Sequence, residues 1–546
     1  MSSSPPSAPT DAKAEARGTA RALGLVSVAI LCSRILGLVR EVVLNSLFGS
    51  KQGVWGLDCL LMAFKAPNML RDLFAEGALS TAFVTVFSKK IQSEGEAAAW
   101  KLGQKMMTLA AVFMSIISAL GVLLAPIIIG LLAYGWRDDP EKVAFTTLLA
   151  RIMYPFILLV SLAALVMGML NARKVFFVPA MSSTFFNVGS MLAGGILGWW
   201  LDPEFGTTAV ICFAVGTLVG GLLQLLVQLP ALKKVGFRFA ADFGWKDAGV
   251  KHTLQLMWPA IISGSVVQVN VLLNTLFASY VSGNGPVTWL NNAFRLMQLP
   301  LGLFGVGLAT VSLPTLARMA TNGISDDFRG TLSKALRMGM TLSIPSAVGL
   351  AMLAWPIMSL VYGNGRAATN PEHVPGCALA LQTYAIGLVF YSGLKVLQPA
   401  FYAIEKRFVP MYVSIVCVLA SAGLNYLFVI HLGLGHQYLA LSTSLTAALN
   451  FLCLLIAMKC YAGRIGAKTL LLSAIKLSFA ALGMAGVCWM ALQTVLTGWN
   501  GMSIWMRGLS LGGTMAVAAG VYFGVSLLLK NEEVSDFLGA LKRRIS

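Results

Sequence analysis

Charge is what this chain has least of. Only 11% of its 546 residues are Asp, Glu, Lys or Arg, where an ordinary soluble protein carries roughly a quarter. Acids are scarcest, 22 against 40 Lys and Arg. Histidine is nearly missing: His252, His373, His431 and His436 are the four, all at expected helix ends, where an exposed interfacial role fits. The eight cysteines are scattered, with no CxxC and no metal-ligand spacing. That pattern points away from a disulfide framework and from a Cys/His metal site. An enzyme built on acid clusters, a metal motif or a histidine base finds little here to work with.

Apolar length is what the chain has instead. Hydrophobic residues make up 57% of it and the mean hydropathy is +0.78. Many runs reach the roughly 20 residues needed to cross a bilayer. The composition predicts an all-α polytopic membrane protein. Breaks in the apolar runs give fourteen expected transmembrane helices, at 22–48, 54–87, 104–134, 145–171, 180–201, 207–232, 252–281, 286–317, 335–362, 376–404, 409–430, 437–459, 469–497 and 503–529. Residues 1–21, rich in Ser, Pro and Ala, read as a disordered cytoplasmic tail. The apolar run after them is too long for a signal peptide. Lys and Arg test the count: 27 lie in or within a turn of one alternate set of connections and tails, 5 in the other. By the positive-inside rule that asymmetry puts both termini in the cytoplasm. The net charge of +18 is then mostly topology and requires no nucleic acid.

The chain also repeats itself. VVLNSLFG at 42–49 returns as VLLNTLFA at 271–278, and AFK at 63–65 as AFR at 293–295. LFAEGALS at 73–80 resembles LFGVGLAT at 303–310, and ARKVFFVP at 172–179 resembles IEKRFVP at 404–410. A nearly constant offset of about 230 residues joins all four pairs, which marks an internal repeat. Six spans per copy is an even number, so both copies enter the membrane in the same direction. The expectation is two parallel six-helix repeats about a pseudo-twofold along the membrane normal, plus two C-terminal helices. The expected division is an N-lobe over 22–232, a C-lobe over 233–460, spans 13 and 14 within 461–530, and a cytoplasmic tail at 531–546.

Beyond the 27 and 5 assigned to connections and tails, eight cations fall inside spans: Arg34, Arg40, Lys65, Arg71, Arg151, Arg295, Lys395 and Lys476. The span acids are Glu41, Asp58, Asp72 and Glu76, all in the first two spans. Each such charge costs roughly 2.5–3.5 kcal/mol at a helix centre on insertion scales, so it should face protein or water. In the first two spans ion pairing between helices accounts for them. Arg151 and Lys476 read as snorkelling toward helix ends. Lys395 lies deeper and fits either role. Arg295 aligns with Lys65 across the repeat and should face a cavity between the lobes. Excess cation in such a cavity calls for an anionic ligand, and arginine's planar fork suits a phosphate or diphosphate.

SRILGLVRE (33–41) followed by FKAPNMLRDLFAEGALSTAF (64–83) resembles the signature of the MurJ (MviN) family of lipid II flippases. The likeness extends through WPAIISGSVVQVNVLLNTLFASYVSG and FRLMQLPLGLFGVGLATVSLPTLA, over essentially the whole chain. It implies a member of the multidrug/oligosaccharidyl-lipid/polysaccharide exporter superfamily. Such a protein works by alternating access in the bacterial inner membrane and carries a peptidoglycan precursor outward. By resemblance, Arg34 and Arg40 match the arginines of the first span, Arg71 that of the LR motif, Arg295 that of the eighth span and Asp58 an acid of the second. Arg40, Arg71 and Arg295 would then hold the diphosphate, with Glu41, Lys65 and Thr288 as further members of the substrate site. Glu41 stands where the family usually has Asp, and Thr288 where some members have Ser. Spans 13 and 14 resemble the family's groove for the polyprenyl tail. Some members use a sodium site with carboxylates in the second lobe; spans 7–12 contain no Asp or Glu here, which argues against a carboxylate sodium site there, and membrane potential or an ion gradient is the expected drive.

Gly37, Pro67 and Pro300 are the hinge candidates, and Pro314 also interrupts span 8. The expected function is that of a flippase for lipid II, not an enzyme, with no cofactor and no metal. A monomer near the cell-wall synthesis machinery is the expected state. Export of another polyprenyl-diphosphate-linked saccharide, of O-antigen or exopolysaccharide type, is the alternative within transport. A membrane-embedded enzyme acting on polyprenyl diphosphates is the alternative outside it.

Overall fold

The computed structural model describes residues 9–302, 315–321, 323–463 and 465–545. The repeat string at 303–310 and Pro314 lie outside the described residues. Every regular element among those described is helical, as apolar length demands: in hydrocarbon, a backbone must satisfy its own hydrogen bonds. The helices are α1 Pro9–Phe48, α2 Gly53–Leu70, α3 Ser80–Glu94, α4 Glu96–Leu132, α5 Pro140–Met153, α6 Phe156–Ala172, α7 Phe177–Leu201, α8 Thr207–Leu226, α9 Leu229–Lys234, α10 Ala248–Ser279 and α11 Pro286–Pro300. They continue with α12 Asp326–Met352, α13 Ala354–Tyr362, α14 His373–Ala403, α15 Phe408–Asn425, α16 Gln437–Ala462, α17 Ala467–Gln493, α18 Ile504–Leu528 and α19 Glu532–Ile545. Among the described residues nine helices are long and apolar enough to span a membrane, ten if the bent α10 counts as one span. α1 begins at Pro9, well before the boundary at 22 that composition suggests.

Two expected hinges coincide with breaks in regular winding. Pro67 lies inside α2, and from Arg71 to Leu79 the helix widens into a π segment before α3. Proline removes one amide from the ladder, so the next turn must re-form without it. Pro300 is the last residue of α11. Gly37 sits, buried, within the unbroken α1. A further bend falls elsewhere: α10 turns by 50° between Pro259 and Gly264.

The chain divides into two compact units. Unit 1 comprises Met1–Leu44, Cys59–Leu131 and Arg137–Gln268. Its core gathers Phe83 and Phe87 of α3, Leu102 and Met106 of α4, Leu165 and Met169 of α6, and Phe237. Lipid exposure differs along it. The most apolar window of α4 is 28% buried and that of α5–α6 is 67%, so α4 is a boundary helix and α5–α6 an inner one. α7 and α8 approach closely at Gly216 and Gly220, where a Cβ would lie 2.6 Å from Ser190 O and from Phe186 O. Small residues four apart allow backbones that near.

Unit 2 comprises Asn45–Asp58, Leu132–Trp136 and Val269–Ser546. Its core packs Phe328, Leu332 and Leu336 of α12 against Leu397 and Phe401 of α14 and Phe451, Leu454 and Met458 of α16. The short α19 is tied on by charge: Arg337 pairs with the buried Glu533 at 2.9 Å and Lys334 with Asp536 at 2.6 Å. The division falls inside α10, later than the expected 232/233, and it assigns the end of α1 and the start of α2 to unit 2. A 32-residue helix is about 48 Å long, so its two ends have different neighbours.

Two histidines depart from the exposed role their positions suggest. His373 and His436 are buried. His436 Nε2 meets Gly376 O at 2.8 Å, and its ring centroid lies 4.9 Å from that of Trp289. A helix end buried by a neighbouring helix is not an interface with water.

Candidate functional site

In unit 1 the predicted residues form two small constellations. Arg34, Gly37 and Arg40 recur on α1 at helical spacing. Arg34 is exposed, and Arg40 donates to Glu41 at 3.0 Å. The Glu41 side chain is only 2% exposed and that of Arg40 16%. The Arg40 guanidinium also lies 5.4 Å from the ring centroid of Phe186 on α7, a cation–π contact that holds the fork in place.

The second constellation follows Pro67. Lys65, half-buried, precedes it on α2, and Arg71 opens the π segment. Arg71 Nε and Nη2 both donate to Asp72 Oδ1, at 3.1 and 2.8 Å. Asp72 Oδ2 accepts from Asn68 and from Gln268 of α10, each at 3.4 Å. The Arg71 and Asp72 side chains remain 22% and 31% exposed. The π winding at Arg71 is a local departure of the kind that often accompanies function. Glu76 lies in this segment, but its side chain is not among those described.

Unit 2 treats its predicted residues differently. α11 starts at Gly285, which has φ +118° and no side chain with which to cap the helix. Asp58, fully buried, supplies the cap from the start of α2. Its Oδ2 accepts the Gly285 N–H at 2.7 Å, and its Oδ1 accepts the Thr288 N–H at 2.8 Å and Thr288 Oγ1 at 2.6 Å. A carboxylate on the free N–H groups of a helix start is favoured by both hydrogen bonding and the helix dipole. One turn along, buried Asn292 exchanges hydrogen bonds with Asn45 at 2.8 and 3.2 Å, and Asn292 also faces Cys377 Sγ at 3.7 Å. Arg295, another turn on, is half-buried on α11. Arg151 and Lys395 are exposed and Lys476 is half-buried.

The structure therefore joins Arg40 with Glu41, Arg71 with Asp72, and Asp58 with Thr288. Sequence reading missed the parts played by Phe186, Asn68, Gln268, Gly285, Asn45 and Asn292. One signal was available: Asn45 and Asn274 occupy the same place in VVLN and VLLN. Asn274 accepts from buried Asn425 at 2.7 Å and donates to Asn270 at 3.1 Å and to Thr443 at 3.4 Å. Among the described residues no group of three or more His, Cys, Asp or Glu is arranged to hold a metal.

Known proteins match along nearly the full length. The family model described as lipid II flippase MurJ covers residues 44–510. A probable lipid II flippase MurJ from Vibrio cholerae is 33% identical over 513 residues, 92% of this chain and 95% of that one. A lipid II flippase MurJ from Burkholderia cenocepacia is 33% identical over 510 residues, 92% and 96% of the two chains. Among solved structures, a lipid II flippase MurJ in an inward closed conformation aligns with TM-score 0.73 and 24% identity, covering 91% of this chain and 98% of that one. An inward-facing multidrug resistance transporter of the MATE family aligns with TM-score 0.65 and 14% identity, covering 82% and 98%. At those identities the two structures show a shared fold.

Proposed function

Because this chain belongs to the MurJ family of lipid II flippases, we propose that it carries lipid II, a polyprenyl-diphosphate-linked peptidoglycan precursor, from the cytoplasmic to the outer leaflet by alternating access. The observation that carries the mechanism is the Arg71–Asp72 pair. A guanidinium fork stands partly exposed, bonded to the adjacent Asp72, at the point where the winding opens. A diphosphate offers more and stronger acceptor oxygens than one carboxylate, so it takes the fork in exchange for Asp72. Hydrogen bonds to charged groups are worth about 1.5–3 kcal/mol each, enough for two or three arginines to bind and release a lipid. Arg40 and Arg295 serve as the companion arginines, with Arg34 and Lys65 adding positive potential.

We assign Asp58 and Thr288 to closure of the fold at the start of α11, not to ligand contact, since every atom of that cap is buried and engaged. The membrane arrangement in this reading is fourteen spans in two parallel six-helix copies, both termini cytoplasmic. The last two spans form a groove for the polyprenyl tail. The carrier works as a monomer near the wall-synthesis machinery, driven by membrane potential or an ion gradient. One elementary charge moved through 100 mV yields about 2.3 kcal/mol.

The test is exposure of lipid II at the outer leaflet of cells whose sole flippase is this protein. Wild type is compared with equally expressed Arg71→Ala and Arg295→Ala. Exposure by wild type and retention by both variants supports the reading. No exposure by wild type in cells that express it folded overturns lipid II as the substrate and leaves another polyprenyl-diphosphate-linked saccharide to be assayed.

A further inference from the structure

Residues 235–247, which join α9 to α10 in unit 1, have no regular structure and yet are held firmly. Gly236, at φ +96°, turns the chain back after α9, and the Phe237 N–H closes the turn on Leu232 O at 3.3 Å. Phe237 is buried, its ring centroid 5.5 Å from that of Trp100. Three bonds then staple the loop to α4: Gln104 Nε2 to Arg238 O at 2.8 Å, Asp242 N–H to Thr108 Oγ1 at 3.1 Å, and Lys105 Nζ to Asp247 Oδ2 at 2.8 Å. The bond from Lys105 holds the Asp247 carboxyl below the usual carboxylate range. Asp247 also accepts the Gly249 N–H at 2.8 Å, fixing the start of α10.

A loop so fixed would be expected to hide its aromatic rings, but Phe239 and Phe243 are 59% and 64% exposed. Lys233, Lys234, Arg238, Lys246 and Lys251 are exposed around them. The acids of the same stretch are engaged: Asp247 by Lys105, and Asp242 by the Gly244 N–H at 2.8 Å. The surface is therefore apolar at its tips and positive at its margins. Its depth is set by the staples. Gln104, Lys105 and Thr108 mark where α4 passes from EAAAWKLGQK to MMTLAAVFM, and beyond them Phe113, Ile116 and Leu123 are exposed on a boundary helix. The loop stands level with the edge of the hydrocarbon, where aromatic rings and basic side chains meet headgroups.

We propose that this loop is a docking surface for anionic phospholipid. Phe239 and Phe243 enter the interfacial layer, and Lys233, Lys234, Arg238 and Lys246 meet the phosphates. The continuous surface from the exposed face of α4 to the loop selects a bilayer as the occupant, and the excess positive charge selects an anionic one. The proposal does not depend on which lipid-linked cargo the protein carries.

Native mass spectrometry of the full-length protein, titrated with phosphatidylglycerol and with phosphatidylcholine of the same acyl chains, tests it. Removing a basic residue near a membrane surface weakens anionic binding by about fivefold. The triple variant Lys233→Gln/Arg238→Gln/Lys246→Gln is expected to lose phosphatidylglycerol adducts by about that factor per charge, with phosphatidylcholine adducts unchanged. Phe239→Ser/Phe243→Ser should reduce adducts of both lipids. A control triple, Lys406→Gln/Lys468→Gln/Lys530→Gln, removes the same charge from other exposed positions. Equal losses in the two triples, or undiminished phosphatidylglycerol binding by a loop triple with wild-type thermal stability, overturns the proposal. If the loop triple fails to fold, the aromatic pair decides: unchanged adducts of both lipids overturn it.

Discussion

Asp72 of unit 1 is 31% exposed and bonded to Arg71, its neighbour in sequence, whereas Asp58 of unit 2 is fully buried and bonded to a helix that begins 227 residues later. Both are carboxylates in apolar surroundings, and the difference lies in what each would lose on letting go. Asp72 gives up a part-buried pair with its neighbour in sequence, whose loss strips no helix start of its partner. Asp58 gives up three bonds in a dry site, and the start of α11 would be left with free N–H groups. In the role proposed for Arg71 and Asp72, a charge that changes partners is kept partly exposed and paired with its neighbour in sequence. A charge that holds helices together is kept dry and saturated. Charge within a helix is thus not one category, and burial separates the two kinds.

Five substitutions would break or sharpen that contrast. Asp58→Ala is expected to cost the most, about 1–3 kcal/mol for each buried donor left unsatisfied, because it strips the partner from two backbone N–H groups and a hydroxyl. It should appear as a large fall in the thermal midpoint of the purified protein, and an unchanged midpoint would put Asp58 in the same class as Asp72. Arg71→Ala comes next, with outer-leaflet lipid II falling about tenfold or more, the equivalent of one lost charged hydrogen bond or two. Its midpoint should stay near wild type; a drop as deep as that of Asp58→Ala would make the Arg71 pair structural and erase the contrast. Asn292→Ala should cost about 1–3 kcal/mol by leaving buried Asn45 with an unsatisfied amide. The smallest effect belongs to Thr288→Val, about 1 kcal/mol, since the hydroxyl is lost while the backbone N–H still reaches Asp58. Thr288→Ser should restore the loss, and its failure to do so would mean that the methyl packing of Thr288, not its hydroxyl, was being measured.

How much of this was legible in the sequence follows from what makes a residue conspicuous. Apolar length announces helices directly, and an arginine in an apolar run stands out, so Arg40, Arg71 and Arg295 needed no structure to be noticed. The work of Asp58 was hidden because two of its three donors are backbone amides, which carry no letter in the sequence. Asn45 and Asn274 were in view in the repeat strings, but a neutral amide among leucines draws less attention than a charge. His373 and His436 misled because position at a helix end says nothing about which neighbour covers it. At α10 the cue was present: Pro259 and Gly264 flank the 50° bend, yet other prolines and glycines, such as Pro126 within the unbroken α4, produce no such break. Local sequence supplies the weak point, and packing decides whether the helix yields there.

The cap on α11 also sets a timetable. Asp58 leaves the ribosome in the first tenth or so of the chain, while Gly285 and Thr288, its partners, follow 227 and 230 residues later. At synthesis rates of 5–20 residues per second, roughly 10–50 s separate them. Asn45 waits similarly for Asn292, and Gly49 O waits for Asn370, 321 residues on. The start of α2 is therefore made unfinished, carrying a carboxylate whose three hydrogen-bond donors lie in the other half of the chain. Contacts of such separation are the slow ones to form. The opening helices of this protein are completed by segments from the second half of the chain, and a chain interrupted before α11 has no means of sheltering Asp58 in its native way.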